Sequence, residues 1–182
     1  AQFPLDIKSK MFVNKEDKYL DQIFYNIRDA SVDNPYTVII GPGEYVISGL
    51  FVIPDNVNLV GIDRDHSILY CSDTGIPTMF EIDTNTCIEN LTIQHTGAFN
   101  GTADIIFGAS GNSAVTLENI NFYVNFSSNS DVLLNFASYT GTNVKVKNCY
   151  LYNTSASATG VALSVCGSEV QVVGNIVQRF GM

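Results

Sequence analysis

The stretch CIENLTI, Cys87–Ile93, recurs along the chain as TLENINF at Thr116–Phe122, KVKNCYL at Lys145–Leu151 and VVGNIVQ at Val172–Gln178. The central asparagines are Asn90, Asn119, Asn148 and Asn175, so the steps between repeats are 29, 29 and 27 residues. A fixed period of this length is typical of a solenoid, in which each repeat forms one coil and buries its apolar side against its neighbours. The repeat therefore predicts the fold, and it says much less about activity.

Apolar and polar residues alternate within each repeat, which is the periodicity of a β-strand. Aligned on the asparagines, the apolar columns are Ile88, Leu117, Val146 and Val173; then Leu91, Ile120, Cys149 and Ile176; then Ile93, Phe122, Leu151 and Gln178. The alternation slips at the asparagine, as expected at a bend, because Asn tolerates a left-handed backbone and forms local hydrogen bonds. We expect Asn90, Asn119, Asn148 and Asn175 to stack as a structural ladder, one per coil, about 4.8 Å apart.

These features predict an all-β protein, a right-handed parallel β-helix, because crossovers between parallel strands are almost always right-handed. A second apolar strand precedes the later repeats, at residues 79–82, 105–110, 132–138 and 161–166. With 37–45 as the first coil, the pattern predicts about six coils, stacked to roughly 25–30 Å at about 4.8 Å per coil.

The segment before the coils has the pattern of an amphipathic helix. Within residues 17–30, apolar side chains recur at helical spacing: Tyr19, Ile23 and Ile27, with Leu20 and Phe24 beside them. We expect this helix to cap the open end of the first coil, as terminal repeats of solenoids must do. The domain prediction is therefore an N-terminal capping segment over 1–34 and a β-helix over 35–182.

The repeat is still running at residues 178–180, where the sequence ends. We therefore expect either further coils beyond this point or a partner that covers the last coil, by self-association or through another protein chain. A trimer is one arrangement that would suit a β-helix of this kind.

Composition excludes several functional classes. The chain has 182 residues and a net charge of −9, and no apolar run approaches the length of a membrane span. Neither Lys nor Arg occurs between Asp65 and Val144. This distribution argues against nucleic acid as a ligand, and against an anionic polysaccharide on this part of the chain unless metal ions intervene.

The four cysteines are Cys71, Cys87, Cys149 and Cys166. No CxxC pair exists, so no zinc site is predicted, and none of the obvious pairs holds the matched positions that a disulfide needs. Cys149 falls in the second apolar column, and we interpret it as a small buried hydrophobe.

Four Asn-x-Ser/Thr sequons occur, at Asn90, Asn100, Asn125 and Asn153. Asn90 belongs to the bend column, where no glycan is expected. Asn100, Asn125 and Asn153 follow the second strands of successive coils, so we expect them on one flank as glycosylation candidates if the protein passes through a secretory route. The alternative is chance occurrence in an Asn-rich β-protein.

The stretches VIIGPGEY at Val38–Tyr45, VNLVGIDRDHSIL at Val57–Leu69 and IENLTIQ at Ile88–Gln94 carry a resemblance to a known family. They are similar to the opening coils of pectinesterases, within the pectin lyase-like superfamily of right-handed parallel β-helices. Pectinesterases would supply paired glutamines, two aspartates and an arginine on consecutive coils. This chain lacks that set, so the resemblance implies the fold and not the activity.

Three carboxylates are nevertheless candidates for catalysis. Asp104 begins DIIFG, which resembles the pectinesterase aspartate motif one coil too early; the alternative is an Asp at a strand edge, like Asp131. Glu81 and Asp83 flank Ile82 on one strand face and could perform acid–base chemistry or bind calcium, the one cofactor that the sequence suggests. The alternative for this pair is a solvated outer face.

Two functions are compatible with these patterns. The first is a non-catalytic structural or attachment module of a virion, fibre or cell surface, hence extracellular, that contacts glycans through aromatic residues. The aromatic candidates, which could equally pack between coils, are Phe99, Tyr123, Phe126, Tyr139 and Tyr152. The alternative is a polysaccharide-active lyase, esterase or glycoside hydrolase of the pectin lyase-like superfamily.

Overall fold

The computed structural model describes residues 10–13, 20–76, 78–82, 84–97, 104–108, 114–136, 143–157, 159–165 and 169–181. Its elements are β1 (Lys10–Val13), α1 (Leu20–Asn26), β2 (Tyr36–Ile40), β3 (Gly43–Val46), β4 (Phe51–Ile53), β5 (Val57–Gly61), β6 (Ser67–Cys71), β7 (Phe80–Ile82), β8 (Thr86–Glu89), β9 (Thr92–His95), β10 (Asp104–Gly108), β11 (Ala114–Glu118), β12 (Asn121–Val124), β13 (Val132–Phe136), β14 (Asn143–Lys147), β15 (Tyr150–Asn153), β16 (Val161–Val165), β17 (Glu169–Val173) and β18 (Ile176–Gln178).

The strands form three parallel sheets, in which each strand from β2 onward pairs with the strand three places along the chain and β1 pairs with β2. The seven-stranded sheet has the order β1-β2-β5-β8-β11-β14-β17, the six-stranded sheet β3-β6-β9-β12-β15-β18, and the five-stranded sheet β4-β7-β10-β13-β16. Five triplets of strands make five complete turns, and β17 and β18 begin the next. The prediction of an all-β parallel β-helix is confirmed, with about five turns where the sequence predicted about six coils.

The interior is built from columns of like side chains, one from each coil. In the seven-stranded sheet, Leu59, Ile88, Leu117 and Val146 stack in register and are at most 1% exposed. In the six-stranded sheet, the equivalent column is Tyr45, Leu69, Ile93, Phe122 and Leu151. Alternation places every second residue in this interior, which is why a period-2 pattern in the sequence produced a continuous apolar core.

The last coil departs from the predicted alignment by one residue. Val172, not Val173, pairs with Val146, and Val177, not Gln178, pairs with Leu151. Since a shift of one residue moves a side chain to the other face, the apparent polar interruption at Gln178 disappears from the apolar column.

The bend between the seven-stranded and six-stranded sheets explains that shift. Asn90, Asn119 and Asn148 have φ of 57°, 54° and 52°, whereas the fourth left-handed residue is Gly174, at 70°. Asn175, the predicted fourth member of the ladder, lies just after the bend. Its side chain accepts a hydrogen bond from Cys149 N at 2.8 Å and donates one to Val146 O at 2.8 Å.

Side-chain hydrogen bonds connect Asn90 and Asn119, the first two members of the asparagine ladder. Asn119 Nδ2 donates to Asn90 Oδ1 at 2.8 Å, and Asn90 Nδ2 donates to Gly61 O at 2.8 Å. A second pair, which sequence analysis missed, precedes β5 and β8: Asn56 and Asn85 have φ of 60° and 52°, and Asn85 Nδ2 donates to Asn56 Oδ1 at 3.0 Å. The two asparagines are 29 residues apart, which equals the repeat period, so the sequence did contain a signal for this pair.

The N-terminal elements cover the first coil. Phe24 of α1 packs edge-on against Phe51 of β4, with ring centroids 4.8 Å apart, and β1 pairs with β2. The described helix is shorter than the predicted 17–30: it ends at Asn26, and residues 14–19 lie outside the described part of the chain. Arg28 follows the helix, and its guanidinium lies 4.2 Å from the centre of the Tyr25 ring.

The apolar columns reach the surface at the last coil. Val170 and Val172 are 43% and 50% exposed, although they stack on the buried residues Val144 and Val146. Val177 is likewise half exposed above buried Leu151.

Among the described residues, no helix has the length and apolar character needed to cross a membrane.

Candidate functional site

The outer side of the six-stranded sheet carries a row of aligned side chains, most of which are tyrosine or glutamine. Parallel register aligns one position of each strand, which gives the row Val46, Tyr70, Gln94, Tyr123, Tyr152 and Gln178. The alternation that buries Phe122 and Leu151 turns their neighbours outward, so this row follows from the same pattern that builds the core.

Three tyrosines meet at the centre of this surface, and we call Tyr123, Tyr150 and Tyr152 the tyrosine face. The ring of Tyr123 contacts those of Tyr150 and Tyr152 edge-on, with centroids 5.9 Å and 6.2 Å away. The rings of Tyr150 and Tyr152 lie 5.9 Å apart and nearly parallel, at 11°. All three side chains are partly exposed, so one side of the cluster is open to solvent.

Hydrogen bonds from the next coil hold two of these rings. Tyr150 Oη donates to Gln178 Oε1 at 3.0 Å, and Arg179 Nη1 donates to Tyr152 Oη at 3.2 Å. Arg179 also donates from Nη2 to Ala156 O at 3.3 Å, and its guanidinium carbon lies 5.9 Å from the centre of the Tyr152 ring. The cluster is therefore ordered before any ligand arrives.

A polar loop between β5 and β6 lies beside the tyrosine face. Asp65 Oδ1 accepts from Asn121 Nδ2 at 2.8 Å and from Arg64 Nε at 3.1 Å. Arg64 Nη1 donates to Asn119 Oδ1 at 3.2 Å. These bonds span 55 and 56 residues of sequence, so the loop reaches two coils along the solenoid.

The loop is fixed by its own hydrogen bonds. Asp65 N donates to Asp63 Oδ1 at 2.9 Å, and His66 Nδ1 lies 2.9 Å from Asp63 Oδ2. Thr92 Oγ1 donates to Arg64 O at 2.7 Å, which ties the loop to the next coil.

Hydrogen bonds and burial shift the pKa values of two groups of this site, Asp65 and Tyr123. The hydrogen bond from Arg64, and then that from Asn121, hold the pKa of Asp65 below its usual value, so it stays a carboxylate. Burial raises the pKa of Tyr123, and the neighbouring Tyr150 and Asp65 add to the effect. The site therefore presents the neutral phenol of Tyr123 beside the ion pair of Arg64 and Asp65.

The predicted catalytic carboxylates lie on a different sheet. Glu81 is in β7, where it pairs with Phe107, and Asp104 begins β10. Three residues separate Asp104 from the position opposite Glu81, roughly 10 Å along the strand. Retaining glycosidases place their two carboxyl groups about 5–5.5 Å apart. The offset between Asp104 and Glu81 along the strands is too large for that arrangement. Asp83 lies outside the described residues.

The two glycosylation candidates that the structure describes differ in burial. Asn153 aligns with Val124 in the interior column and is 0% exposed; its Nδ2 donates to Thr159 O at 2.9 Å, and its Oδ1 accepts from Phe126 N at 3.1 Å. A glycan on Asn153 is incompatible with this packing, so Asn153 does not share the predicted flank. Asn125, one position beyond Val124, is partly exposed, and its Nδ2 donates to Thr96 O at 3.1 Å. Asn100 lies outside the described residues.

The aromatic candidates also divide. Tyr123 and Tyr152 lie on the outer surface, whereas Phe126 is fully buried and contacts Phe180, at a centroid distance of 6.1 Å. Phe99 and Tyr139 lie outside the described residues.

Sequence analysis missed Tyr150, Arg64 and Asp65 as members of the site. Tyr150 lies two residues before Tyr152, so period-2 alternation could have placed both on one face. No sequence signal indicated that the loop would reach Asn121.

Of the described cysteines, Cys71 and Cys149 are buried and Cys87 is partly exposed. Cys149 is buried in the interior, as predicted, and burial raises the pKa of its thiol to about 11. Burial likewise raises the pKa of Cys87 to about 12, with a smaller contribution from the charge of Glu89. Across the described ranges, His, Cys, Asp and Glu form no group of three or more that could hold a metal ion, and Cys166 lies outside them.

A cleft of about 440 Å³ lies between α1 and β4, lined by residues that include Phe24, Tyr25, Arg28 and Val52. It lies at the capped end of the solenoid and includes neither a candidate carboxylate nor a residue of the tyrosine face. We interpret it as a gap left where the short helix packs on the first coil.

Comparisons with protein-family models, with curated proteins and with solved structures found no match to this chain. The parallel β-solenoid is the fold of pectin lyase-like proteins, and its agreement with the resemblance concerns the fold alone.

Proposed function

We propose that this chain is a non-catalytic β-helix of the pectin lyase-like kind that serves as a structural or attachment module on an extracellular surface, such as a virion, a fibre or a cell. The observation that carries the proposal is the tyrosine face. Tyrosines supply large contact areas with both apolar and polar character at a low cost in conformational entropy, which suits a recognition surface.

The position of the tyrosine face supports this role. Parallel coils on both sides hold β12 and β15, so the rings project from a rigid sheet. Sites built on strands are held more accurately than sites on loops.

A specific observation keeps the enzyme as the second candidate. Asp104 Oδ1 is buried and has no hydrogen-bond partner among the described residues. An uncompensated buried carboxyl oxygen is costly, and such groups are frequent at functional sites. A polysaccharide-active enzyme that uses Asp104 would place its substrate at the five-stranded sheet, away from the tyrosine face.

An assay for turnover and retention separates the two candidates. The protein is incubated with pectin, polygalacturonate, xylan and cellulose, and reducing ends, released methanol and unsaturated products are measured to detect hydrolase, esterase and lyase activity. We expect retention on insoluble polysaccharide without turnover, reduced by Tyr123→Ala and unaffected by Glu81→Gln or Asp104→Asn. Tyr25→Ala, at an exposed tyrosine of α1, is the matched control.

Two results would contradict the proposal. Turnover that Asp104→Asn abolishes would establish the enzyme. Equal retention of the Tyr123→Ala and Tyr25→Ala proteins would show that the tyrosine face does not make the contact.

The half-exposed apolar residues of the last coil support the partner prediction. We propose that Val170, Val172 and Val177 are covered in the native assembly, by further coils or by another protein chain, including a second copy of this one. Burial of such apolar surface is the main driving force of association.

A further inference from the structure

The geometry points to a neutral oligosaccharide as the ligand of the tyrosine face, bound along the outer side of the six-stranded sheet. This inference rests on the proposed attachment role and adds the chemical class of the ligand, which the attachment role alone leaves open.

The first argument is shape. Tyr70, Gln94, Tyr123, Tyr152 and Gln178 form one row across five consecutive strands. At about 4.8 Å per strand, the row extends roughly 19 Å along the solenoid axis. This is an extended, shallow surface, suited to a linear chain of several rings and not to a compact metabolite, which proteins usually enclose in a pocket.

The second argument is the chemistry of the side chains. A sugar ring has apolar C–H faces and a rim of hydroxyl groups, so it needs aromatic faces and hydrogen-bonding groups next to each other. The tyrosine face offers the rings of Tyr150 and Tyr152, nearly parallel at 11°, with the amide of Gln178 bonded to Tyr150. The Asp65 carboxylate, held by Asn121, adds acceptor capacity at the side of the cluster.

The third argument is charge. The positive groups beside the tyrosine face are Arg64 and Arg179. Arg64 is paired with Asp65 at 3.1 Å, and Arg179 is bonded to Tyr152 and to a backbone oxygen. The chain as a whole carries a net charge of −9. A polyanionic glycan would be repelled by this net charge, and the charge of Arg64 is already balanced by Asp65, whereas a neutral glycan meets no such repulsion.

The fourth argument is preorganisation. The tyrosine rings already contact each other and are held by Gln178 and Arg179, so little side-chain freedom remains to be lost on binding. An ordered surface keeps more of its contact energy as affinity.

Titration calorimetry with oligosaccharides of equal length tests the inference. The probes are neutral gluco-, galacto-, manno- and xylo-hexaoses, compared with a hexamer of galacturonic acid. We expect at least one neutral hexaose to bind, with the charged hexamer weaker. Tyr152→Ala should weaken binding about tenfold or more, as expected for an aromatic residue at the centre of a contact.

Matched variants separate the role of the ring from the role of its hydroxyl group and from effects on folding. Tyr152→Phe keeps the ring and should lose less affinity than Tyr152→Ala, while Tyr25→Ala should bind as the wild type does. Circular dichroism and urea midpoints of each variant show whether the fold is intact; Arg179→Gln, at an exposed position, provides a second probe of the same ring.

The possible failures have different meanings. If every neutral hexaose fails to bind, or if the galacturonic acid hexamer binds more tightly and Arg179→Gln abolishes that preference, the neutral-glycan inference is wrong while the attachment role stands. If the polysaccharide assay shows turnover dependent on Asp104, the attachment role itself is wrong.

Discussion

At the scale of single residues, the backbone register between coils decides what each side chain can do. Asn125 and Asn153 are 28 residues apart, whereas β12 and β15 pair residues 29 apart, such as Tyr123 and Tyr152. This difference of one residue places Asn125 just outside the core and Asn153 inside it. Two sequons that look equivalent in sequence are therefore in different environments.

Close stacking also restricts which residues fit beneath a bend. Gly61 lies one coil before Asn90, and a Cβ atom on it would overlap Asn90 O and lie 2.9 Å from Leu91 Cβ. We expect Gly61→Ala to lower the free energy of unfolding by roughly 1–3 kcal/mol, the usual cost of overpacking a core. Urea denaturation followed by circular dichroism measures the change.

Gly49→Ala is the matched control, because a Cβ atom on Gly49 would meet nothing within 4 Å. We expect its urea midpoint to stay close to that of the wild type. Equal midpoints for the two alanine variants would mean that the coils are not packed as closely as described here.

At the scale of elements, the short helix α1 stabilises the solenoid through tertiary packing. Seven residues are too few for a helix to be stable alone, so its order depends on the contact of Phe24 with Phe51 and the first coil. The same contact covers the terminal strand β4 of the five-stranded sheet, whose free edge would otherwise be a site for unwanted pairing.

Phe24→Ala tests this role. Removing a fully buried phenylalanine should lower the free energy of unfolding by about 3–5 kcal/mol. Amide hydrogen exchange should become faster in β4 first, because this strand loses its cover.

Tyr25→Ala removes a neighbouring aromatic ring that is 71% exposed. A surface substitution of this kind should change stability by no more than about 0.5 kcal/mol. If Phe24→Ala were as mild as Tyr25→Ala, α1 would not be the cap of the solenoid.

At the scale of the whole molecule, the two ends differ. Elements α1 and β1 cover the first coil, while the last coil exposes Val170, Val172 and Val177. We expect the 182-residue chain to associate with itself through the last coil, and we expect added salt to favour this, because salt screens the repulsion between chains of net charge −9.

Sedimentation velocity at several protein concentrations checks this expectation. Val172→Glu adds a charge to the exposed apolar column and should shift the equilibrium toward monomer. Val32→Glu, at an apolar residue that is 76% exposed outside the coils, should not. A chain that stays monomeric at all concentrations and salt levels would contradict self-association.

The sequence by itself determined the solenoid, because a 29-residue period and strict alternation leave few other ways to bury the apolar columns. It also predicted the cap and the buried Cys149. Only the tertiary structure decided that Gly174 and not Asn175 makes the last bend, that Asn153 lies inside, and that Asp65 reaches Asn121. The physical reason is that pairing between coils sets the register, and neither a one-residue shift nor the path of a loop is encoded in the local pattern of a single coil.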